Sequence, residues 1–443
     1  PLSRRDNNNF QPRVGLAWHP RERWVFRGGF GVNTVDVKFP LARGNFDEYV
    51  AETNLQRAPG DPRPHFKISD GPRPVDFDVR SNGTAPFTGE NFGARDVEWW
   101  DPALRNPYVM NWNLGVQFQA GDSYLIEGLY QGSSGVGLLE RWEVNTFPVD
   151  FGKDDPELRA AAFAAPQDFR PYPQFGSIRM RSNFGHSTYH GGTLKVEKRY
   201  SRGLTFLSHY TFSKAINTQD GDNDGTGVAP IQNRALEKAR ASYDRTHVFT
   251  SSVLYELPLG QGRTFLDRGG WVNALVGNWQ ISWIQTFQSG NPLTFTFADS
   301  PYNNYPDWVG ARRPDLVSRP GLVDNWRELG DRFNVANMNS IVDIGHFAYP
   351  DPFTPGNAGR NIMSGTPLIW SAASLQKDLT LAGETRLQVR LDFNNVLKTW
   401  NFNPPDTTVN LENPETFGKV TSNPVTANFG GVPLMNLSVR VMF

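Results

Sequence analysis

The sequence predicts an all-β chain: about eleven antiparallel strands of a transmembrane β-barrel, with long loops on one side and short turns on the other. Three observations predict it. Apolar and polar residues alternate with a period of two, as on a strand with one apolar and one polar face. The alternating runs are about 10 to 14 residues long, which suits a tilted membrane-spanning strand better than the usual strand of about five or six. Connections alternate between short and long, as periplasmic turns and extracellular loops do in outer-membrane barrels.

The strands follow in order. The first begins near Phe10 and puts Val14, Leu16 and Trp18 on one face. The second, from Trp24, does the same with Phe26, Phe30 and Val32. From Tyr108, residues Trp112, Leu114, Val116 and Phe118 alternate with Asn111, Asn113, Gly115 and Gln117. From Ser123 the apolar positions are Tyr124, Ile126 and Tyr130, and from Ser187 they are Leu194, Val196 and Tyr200. Gly203 opens a strand with Leu204, Phe206, Tyr210 and Phe212, and Arg245 one that ends in Val253, Tyr255 and Leu257. From Val276, residues Trp279, Ile281, Trp283 and Phe287 alternate with Asn278, Gln280 and Ser282. Strands from Pro367 and Glu384 follow, the latter setting Leu387, Val389, Leu391 and Phe393 against Gln388, Arg390, Asp392 and Asn394. The last, from Gly431, carries Leu437, Val439, Val441 and Phe443.

Short turns fall at His19–Arg23, Gln119–Ser123, Tyr200–Gly203 and Leu381–Glu384. Long polar connections fall at Asn33–Pro107, Ser133–Gly185, Lys214–Asp244, Asn291–Thr366 and Leu397–Gly431. Pro258–Leu275 is of middle length in a short-turn slot, and Trp271–Leu275 suits a brief interfacial helix.

Composition bounds the reading. The 443 residues include 42 Gly and 33 Pro, which implies many turns and few long helices. A net charge of -1 argues against a nucleic-acid binder, which needs clustered excess Lys and Arg. The absence of Cys rules out disulfides, thiolate metal sites and a Cys nucleophile. No run of 18 apolar residues is present to make a membrane helix. The mean hydropathy of -0.50 would suit a soluble protein. In a barrel, however, only alternate strand residues touch lipid, and long polar loops lower the mean further. Aromatics at 13% suit the girdles at the two membrane interfaces.

Eleven strands with both terminal strands running the same way cannot close by antiparallel pairing, whereas bacterial single-chain barrels have even strand numbers. An open edge in lipid leaves backbone groups unsatisfied. The expectation is therefore the C-terminal half of a barrel of about 22 strands, the number found in outer-membrane transporters.

Several stretches carry a resemblance to a known family. They include Phe10-Gln-Pro-Arg-Val-Gly-Leu-Ala-Trp18, Arg27-Gly-Gly-Phe-Gly31, Asn106-Pro-Tyr-Val109 and Leu194-Lys-Val-Glu-Lys-Arg-Tyr200. Further ones are Tyr210-Thr-Phe-Ser-Lys214, Asp244-Arg-Thr-His247, Tyr255-Glu-Leu-Pro258, Gly277-Asn-Trp-Gln280, Gly356-Asn-Ala-Gly-Arg-Asn361 and Leu391-Asp-Phe-Asn-Asn395, with terminal Phe443. In order and spacing the chain resembles the C-terminal barrel part of an Oar-like TonB-dependent receptor. The resemblance implies residence in the outer membrane of a Gram-negative bacterium and no enzymatic activity. It implies energy-coupled import of a siderophore, oligosaccharide or peptide. Expected partners are outer-membrane lipid, the barrel assembly machinery and, through a plug and TonB box upstream of Pro1, the TonB complex. Leu437, Val439, Val441 and Phe443 resemble the signal read by that assembly machinery. The whole of 1–443 would then be one barrel portion, with the plug and N-terminal domains outside it.

Candidate chemistry is sparse. Asp220, Asp222 and Asp224 match the first half of a D-x-D-x-D-G calcium loop, but Ile231 stands where its bidentate Glu belongs. A weak cation loop and a plain acidic turn both remain open, and no other cofactor is expected. His186 and His190 share a strand face without a third ligand nearby, so a polar lumen or loop-base role is preferred over a metal pair. Gly132-Ser-Ser-Gly135 lacks the G-x-S-x-G pattern and reads as a structural turn. Lys195, Glu197, Arg199, Arg390, Asp392 and Arg440 alternate with apolar neighbours. Facing lipid at the midplane, a Lys or Arg costs about 2–4 kcal/mol, so these six are expected to face the lumen and to pair across strands. Trp99, Trp100, Tyr302, Tyr305, Trp308 and Trp326 lie in the long loops. They suit either stacking on a ligand or small loop cores. Two other classes compete: a passive porin or surface-adhesion barrel, without a plug, and a soluble β-rich binding protein, whose apolar faces would pack on each other.

Overall fold

In the computed structural model the described residues are 6–36, 97–147, 151–152, 154–220, 234–235, 237–297, 313–328, 339–350, 356–383, 385–399, 401–420 and 434–443. Eleven long strands follow one another in space in chain order. They are Arg13–Arg21 (β1), Trp24–Thr34 (β2), Tyr108–Ala120 (β3), Tyr124–Glu143 (β4), Ile178–Ser201 (β5), Leu204–Asn217 (β6), His247–Glu256 (β7), Trp279–Gln288 (β8), Leu368–Ala382 (β9), Thr385–Asn394 (β10) and Leu434–Met442 (β11). Every neighbouring pair is antiparallel, and all eleven strands match those expected from the alternation. With an odd number of strands, β1 and β11 run in the same direction, and the sheet is not closed into a barrel.

The register carries one face intact across the sheet. Trp18 lies opposite Phe26, Phe26 opposite Val116, and Phe118 opposite Ile126. Phe206 lies opposite Val253, Val253 opposite Trp283, and Leu391 opposite Leu437. A one-residue slip anywhere would send a strand's apolar set to the other face, so this continuity fixes the register. The face is largely exposed: Leu16 is 70% and Leu437 67% exposed. A predominantly apolar, uncovered face of this extent is what a bilayer covers.

Two strands run further than their alternation suggested. β4 and β5 span 20 and 24 residues and continue as a hairpin into what reads as a long polar connection after Ser133. Two irregularities in their pairing, around Leu138, hide the continuation, because each shifts the side-chain parity. Gly137, at φ +64°, sits in this bulge. Gly132-Ser-Ser-Gly135 is accordingly mid-strand, not a turn. A Cβ on Gly132 would come within 2.2 Å of the Trp112 ring, so the glycine lets the indole lie across the neighbouring strand. Val97–Trp100 adds to this extension in parallel with β5. A helix at Gly270–Val276 (α2, after α1 at Pro156–Ala164) occupies the middle-length turn, where a brief helix was expected.

The loops between β8 and β9 and between β10 and β11 form a crown with its own core. Three two-residue ladders stitch it: Pro292–Leu293 with Met363–Ser364, Thr296–Phe297 with Thr408–Val409, and Asp315–Leu316 with Phe347–Ala348. Phe295, Ile341, Val342, Val409 and Phe417 are essentially fully buried there. The Phe295 and Phe347 rings sit 4.6 Å apart, and Phe417 lies 5.6 Å from Phe347.

Candidate functional site: the two faces of the wall and the loop crown

The apolar face carries two rows of aromatic rings. In five strands the rows are six residues apart: Trp24 and Phe30, Phe118 and Trp112, Tyr124 and Tyr130, Phe206 and Phe212, Tyr255 and Phe249. At about 3.3 Å per residue this is about 20 Å along a strand, the scale of an apolar membrane band between its girdles. Polar groups in the middle of this face are matched internally. Ser208 and Ser251 hydroxyls are 2.7 Å apart, and Gln285 donates to the Trp370 carbonyl at 2.8 Å.

Two charges on this face were not singled out from the sequence. Lys198 and Lys377 occupy apolar-face positions, opposite Phe206 and Trp279, near the short-turn ends. Their ammonium groups sit 5.7 Å from the Tyr124 ring centroid and 5.0 Å from that of Trp279. Lys198 Nζ donates to the carbonyls of Ser201 and Leu204, and Lys377 Nζ to that of Gly277. Each thereby satisfies turn carbonyls at an interface, where a charge costs far less than at the midplane. The signal was legible: in Leu194-Lys-Val-Glu-Lys-Arg-Tyr200, strict alternation assigns Lys198 to the face of Leu194 and Val196.

The six charges expected to face a lumen, Lys195, Glu197, Arg199, Arg390, Asp392 and Arg440, all lie on the opposite, polar face. Their ion pairs run along strands instead of across them: Lys195 to Glu197 at 3.1 Å and Arg390 to Asp392 at 2.8 Å. Across strands Lys195 faces Glu127 and His209, and Arg440 faces Gln388. Cross-strand hydrogen bonds on this face join neutral or mixed groups, as in Thr193 with Thr211 at 2.9 Å and Gln388 with Asp378 at 3.0 Å. Leu437, Val439 and Val441 lie on the apolar face against Leu391, Val389 and Leu387, and Phe443 is 96% exposed at the end.

His186 and His190 lie on the aromatic face, not on the polar one. His190 Nδ1 is 2.8 Å from the Tyr130 hydroxyl, and His186 Nδ1 3.0 Å from the Phe184 carbonyl. Of the loop aromatics, Trp100 and Trp326 belong to loop cores, and Trp99 is 46% exposed. Tyr302, Tyr305 and Trp308 lie outside the described residues, as do Asp222 and Asp224 of the cation loop.

The third element, Asp220, belongs to a charge cluster that locks the loops above the wall. Arg360 Nη1 meets Asp220 at 2.5 Å, while Nη2 donates to the Asn217 side chain at 2.6 Å and to the Glu237 carbonyl at 3.1 Å. Arg313 forks onto both Glu237 oxygens at 2.7 and 2.6 Å, with both side chains buried. Burial would raise the Asp220 carboxyl. The Asn217 side chain, the Ser242 amide and Arg360 outweigh it and hold the group below its ordinary value. Gly356-Asn-Ala-Gly-Arg-Asn361 is thus a clamp: a Cβ on Gly356 would strike the Arg313 carbonyl at 1.9 Å, and Asn361 donates to the Arg240 carbonyl at 2.7 Å. A cleft of about 280 Å³ opens beside the cluster, lined by Glu140, His186, Asn217, Asp220 and Tyr243 among others.

Residues 1–429 match the family described as outer membrane beta barrel domain. The chain belongs to this outer-membrane β-barrel family. The apolar face and its girdles are therefore the surface of an outer-membrane protein. Solved structures similar to it include the outer membrane transporter YddB from Escherichia coli, with 9% identity and TM-score 0.43, covering 89% of this chain and 37% of that one. The FrpB iron transporter from Neisseria meningitidis has 12% identity and TM-score 0.40, covering 97% and 39%. FpvA of Pseudomonas aeruginosa bound to pyoverdine has 9% identity and TM-score 0.41, covering 97% and 32%. The chain thus spans about a third of these proteins' length. No curated protein sequence matches it.

Proposed function

We propose that this chain is the strand-rich wall and loop crown of a TonB-dependent receptor that imports a siderophore, oligosaccharide or peptide across the outer membrane. The observation that carries this reading is the asymmetry of the wall. One face is continuous apolar surface, and the other is lined with Lys195, Glu197, Arg199, Arg390, Asp392 and Arg440 in mixed signs. Mixed charge on an inner wall suits contact with a polar plug better than free diffusion of ions of one sign. The parallel directions of β1 and β11 support closure through further strands rather than directly with each other. Binding selectivity then belongs to the crown, where packed loops hold a fixed surface above the lumen.

Liposome swelling with the protein purified from outer membranes separates the readings. A plugged, energy-coupled receptor gives no swelling in small sugars, and its ligand uptake in cells stops when the inner-membrane proton gradient is collapsed. Rapid swelling, with uptake indifferent to that gradient, would replace this reading with a passive porin.

A further inference from the structure

The aromatic face carries a row of basic groups where it meets the long loops. His190 on β5 lies directly opposite Lys214 on β6. The Phe212 to His247 pairing and the bond from the Ser213 amide to the Thr246 carbonyl, 2.9 Å, carry the register on so that Lys214 faces Arg245. His190 and Lys214 therefore stand side by side on adjacent strands, with Arg245 next in register two residues before β7, just beyond the upper aromatic row. This is the extracellular end of the wall, because the short turns mark the periplasmic end.

Each group keeps at least one donor for a ligand. Lys214 is exposed and makes no hydrogen bond or ion pair among the described residues. Arg245 is half-buried, spends one terminal nitrogen on the Ser242 and Asp244 carbonyls and has its Nε buried, so its second terminal nitrogen is the one left to a ligand. The Trp112 indole donates to the Tyr130 hydroxyl at 3.4 Å, and that hydroxyl meets His190 Nδ1. The tautomer in which Nδ1 accepts from Tyr130 leaves Nε2 as a donor turned away from the pair. Asp244, the carboxylate next to Arg245 in sequence, is buried and accepts from the Ala215 amide at 2.7 Å. Below the row lies exposed apolar surface: Leu194 at 53%, Tyr210 at 40% and Phe212 at 54%.

Two cationic groups and an imidazole donor directly above an apolar strip match an amphiphile with an anionic head and acyl tails. The outer leaflet of a Gram-negative outer membrane presents such a molecule, a phosphorylated glycolipid. We propose that His190, Lys214 and Arg245 form a site on the outer wall for the phosphate of this outer-leaflet glycolipid, with its acyl chains on the strip below. The inference rests on the membrane orientation and not on what the receptor imports.

The test uses the full chain purified from outer membranes in detergent, with bound lipid counted by native mass spectrometry. The probes are bis-phosphorylated lipid A, the same lipid dephosphorylated, and inorganic phosphate as a competitor. Lys214→Gln is expected to weaken lipid A retention about fivefold, and Lys214→Gln with Arg245→Gln about 25-fold, from the usual contribution of a basic side chain at a membrane surface. Lys238→Gln, an exposed loop lysine, should leave it unchanged. Dephosphorylated lipid should bind as weakly to the wild type as lipid A does to the double variant, and millimolar phosphate should not compete. Equal retention of the two lipids, indifference to Lys214→Gln, or displacement by free phosphate would each overturn the proposal. The single variant keeps the test valid should Arg245→Gln misfold, since Arg245 also caps carbonyls.

Discussion

At the scale of residues, the crown depends on a few charged groups. Arg360 joins Asn217 at the end of β6 to Asp220 and the Glu237 backbone on the loop between β6 and β7. Removing one partner of a buried pair leaves the other charge uncompensated. Arg360→Ala is expected to cost about 3 kcal/mol of crown stability, the low end for such losses, because the Asp220 side chain keeps 19% exposure. Limited proteolysis should show it as faster cleavage in the crown, with the strands still protected. The pH dependence follows from the depressed Asp220 carboxyl. A carboxyl lowered by folding contributes stability above its unfolded pKa and loses it as pH falls through the folded value. Amide exchange at Asn361 should therefore stay slow from neutral pH down to about the ordinary value of 3.8 and accelerate below it. Exchange that quickens already near pH 6 would point to histidines instead.

At the scale of elements, the eleven strands were legible because each keeps its alternation for most of its length, as in Leu387, Val389, Leu391 and Phe393. What escaped had physical reasons. The extension of β4 and β5 is masked by bulges that reset side-chain parity. The crown ladders have two residues each, too short for any period to show. Alternation places Lys198 on the apolar face, but the ring faces and turn carbonyls that stabilise Lys198 and Lys377 there show only in the side-chain geometry. The face shared by Lys195, Arg390 and Arg440 was readable, but their pairing along strands required the side-chain geometry. Trp326 shows how the open choice for loop aromatics resolves. It is 8% exposed and packs edge-on against Phe402 at 5.9 Å. Trp326→Ala should cost the crown about 3–5 kcal/mol. Trp99→Ala, at an exposed position, should change stability by no more than about 0.5 kcal/mol. Thermal unfolding of the crown followed by near-UV circular dichroism compares the two.

At the scale of the whole molecule, one wall divides two environments. β1 is exposed throughout and β11 nearly so, and among the described residues each has one strand neighbour, leaving two open edges in addition to the apolar face. In water such edges and such an apolar face drive association with other copies. The 443-residue chain in detergent-free buffer is expected to aggregate, as light scattering would show. A monodisperse, cooperatively unfolding monomer would favour a soluble β-protein instead. The central claim is that the aromatic face meets lipid and the charged face a watery lumen. The lack of native cysteine makes single labelling sites unambiguous. The most direct measurement places one spin label in turn at Leu194, Lys195, Val196 and Glu197 of the protein in outer membranes, and reads its accessibility to oxygen and to a water-soluble nickel chelate. Oxygen access is predicted to peak at 194 and 196 and chelate access at 195 and 197. Equal access at all four positions, or the reverse alternation, would contradict the account.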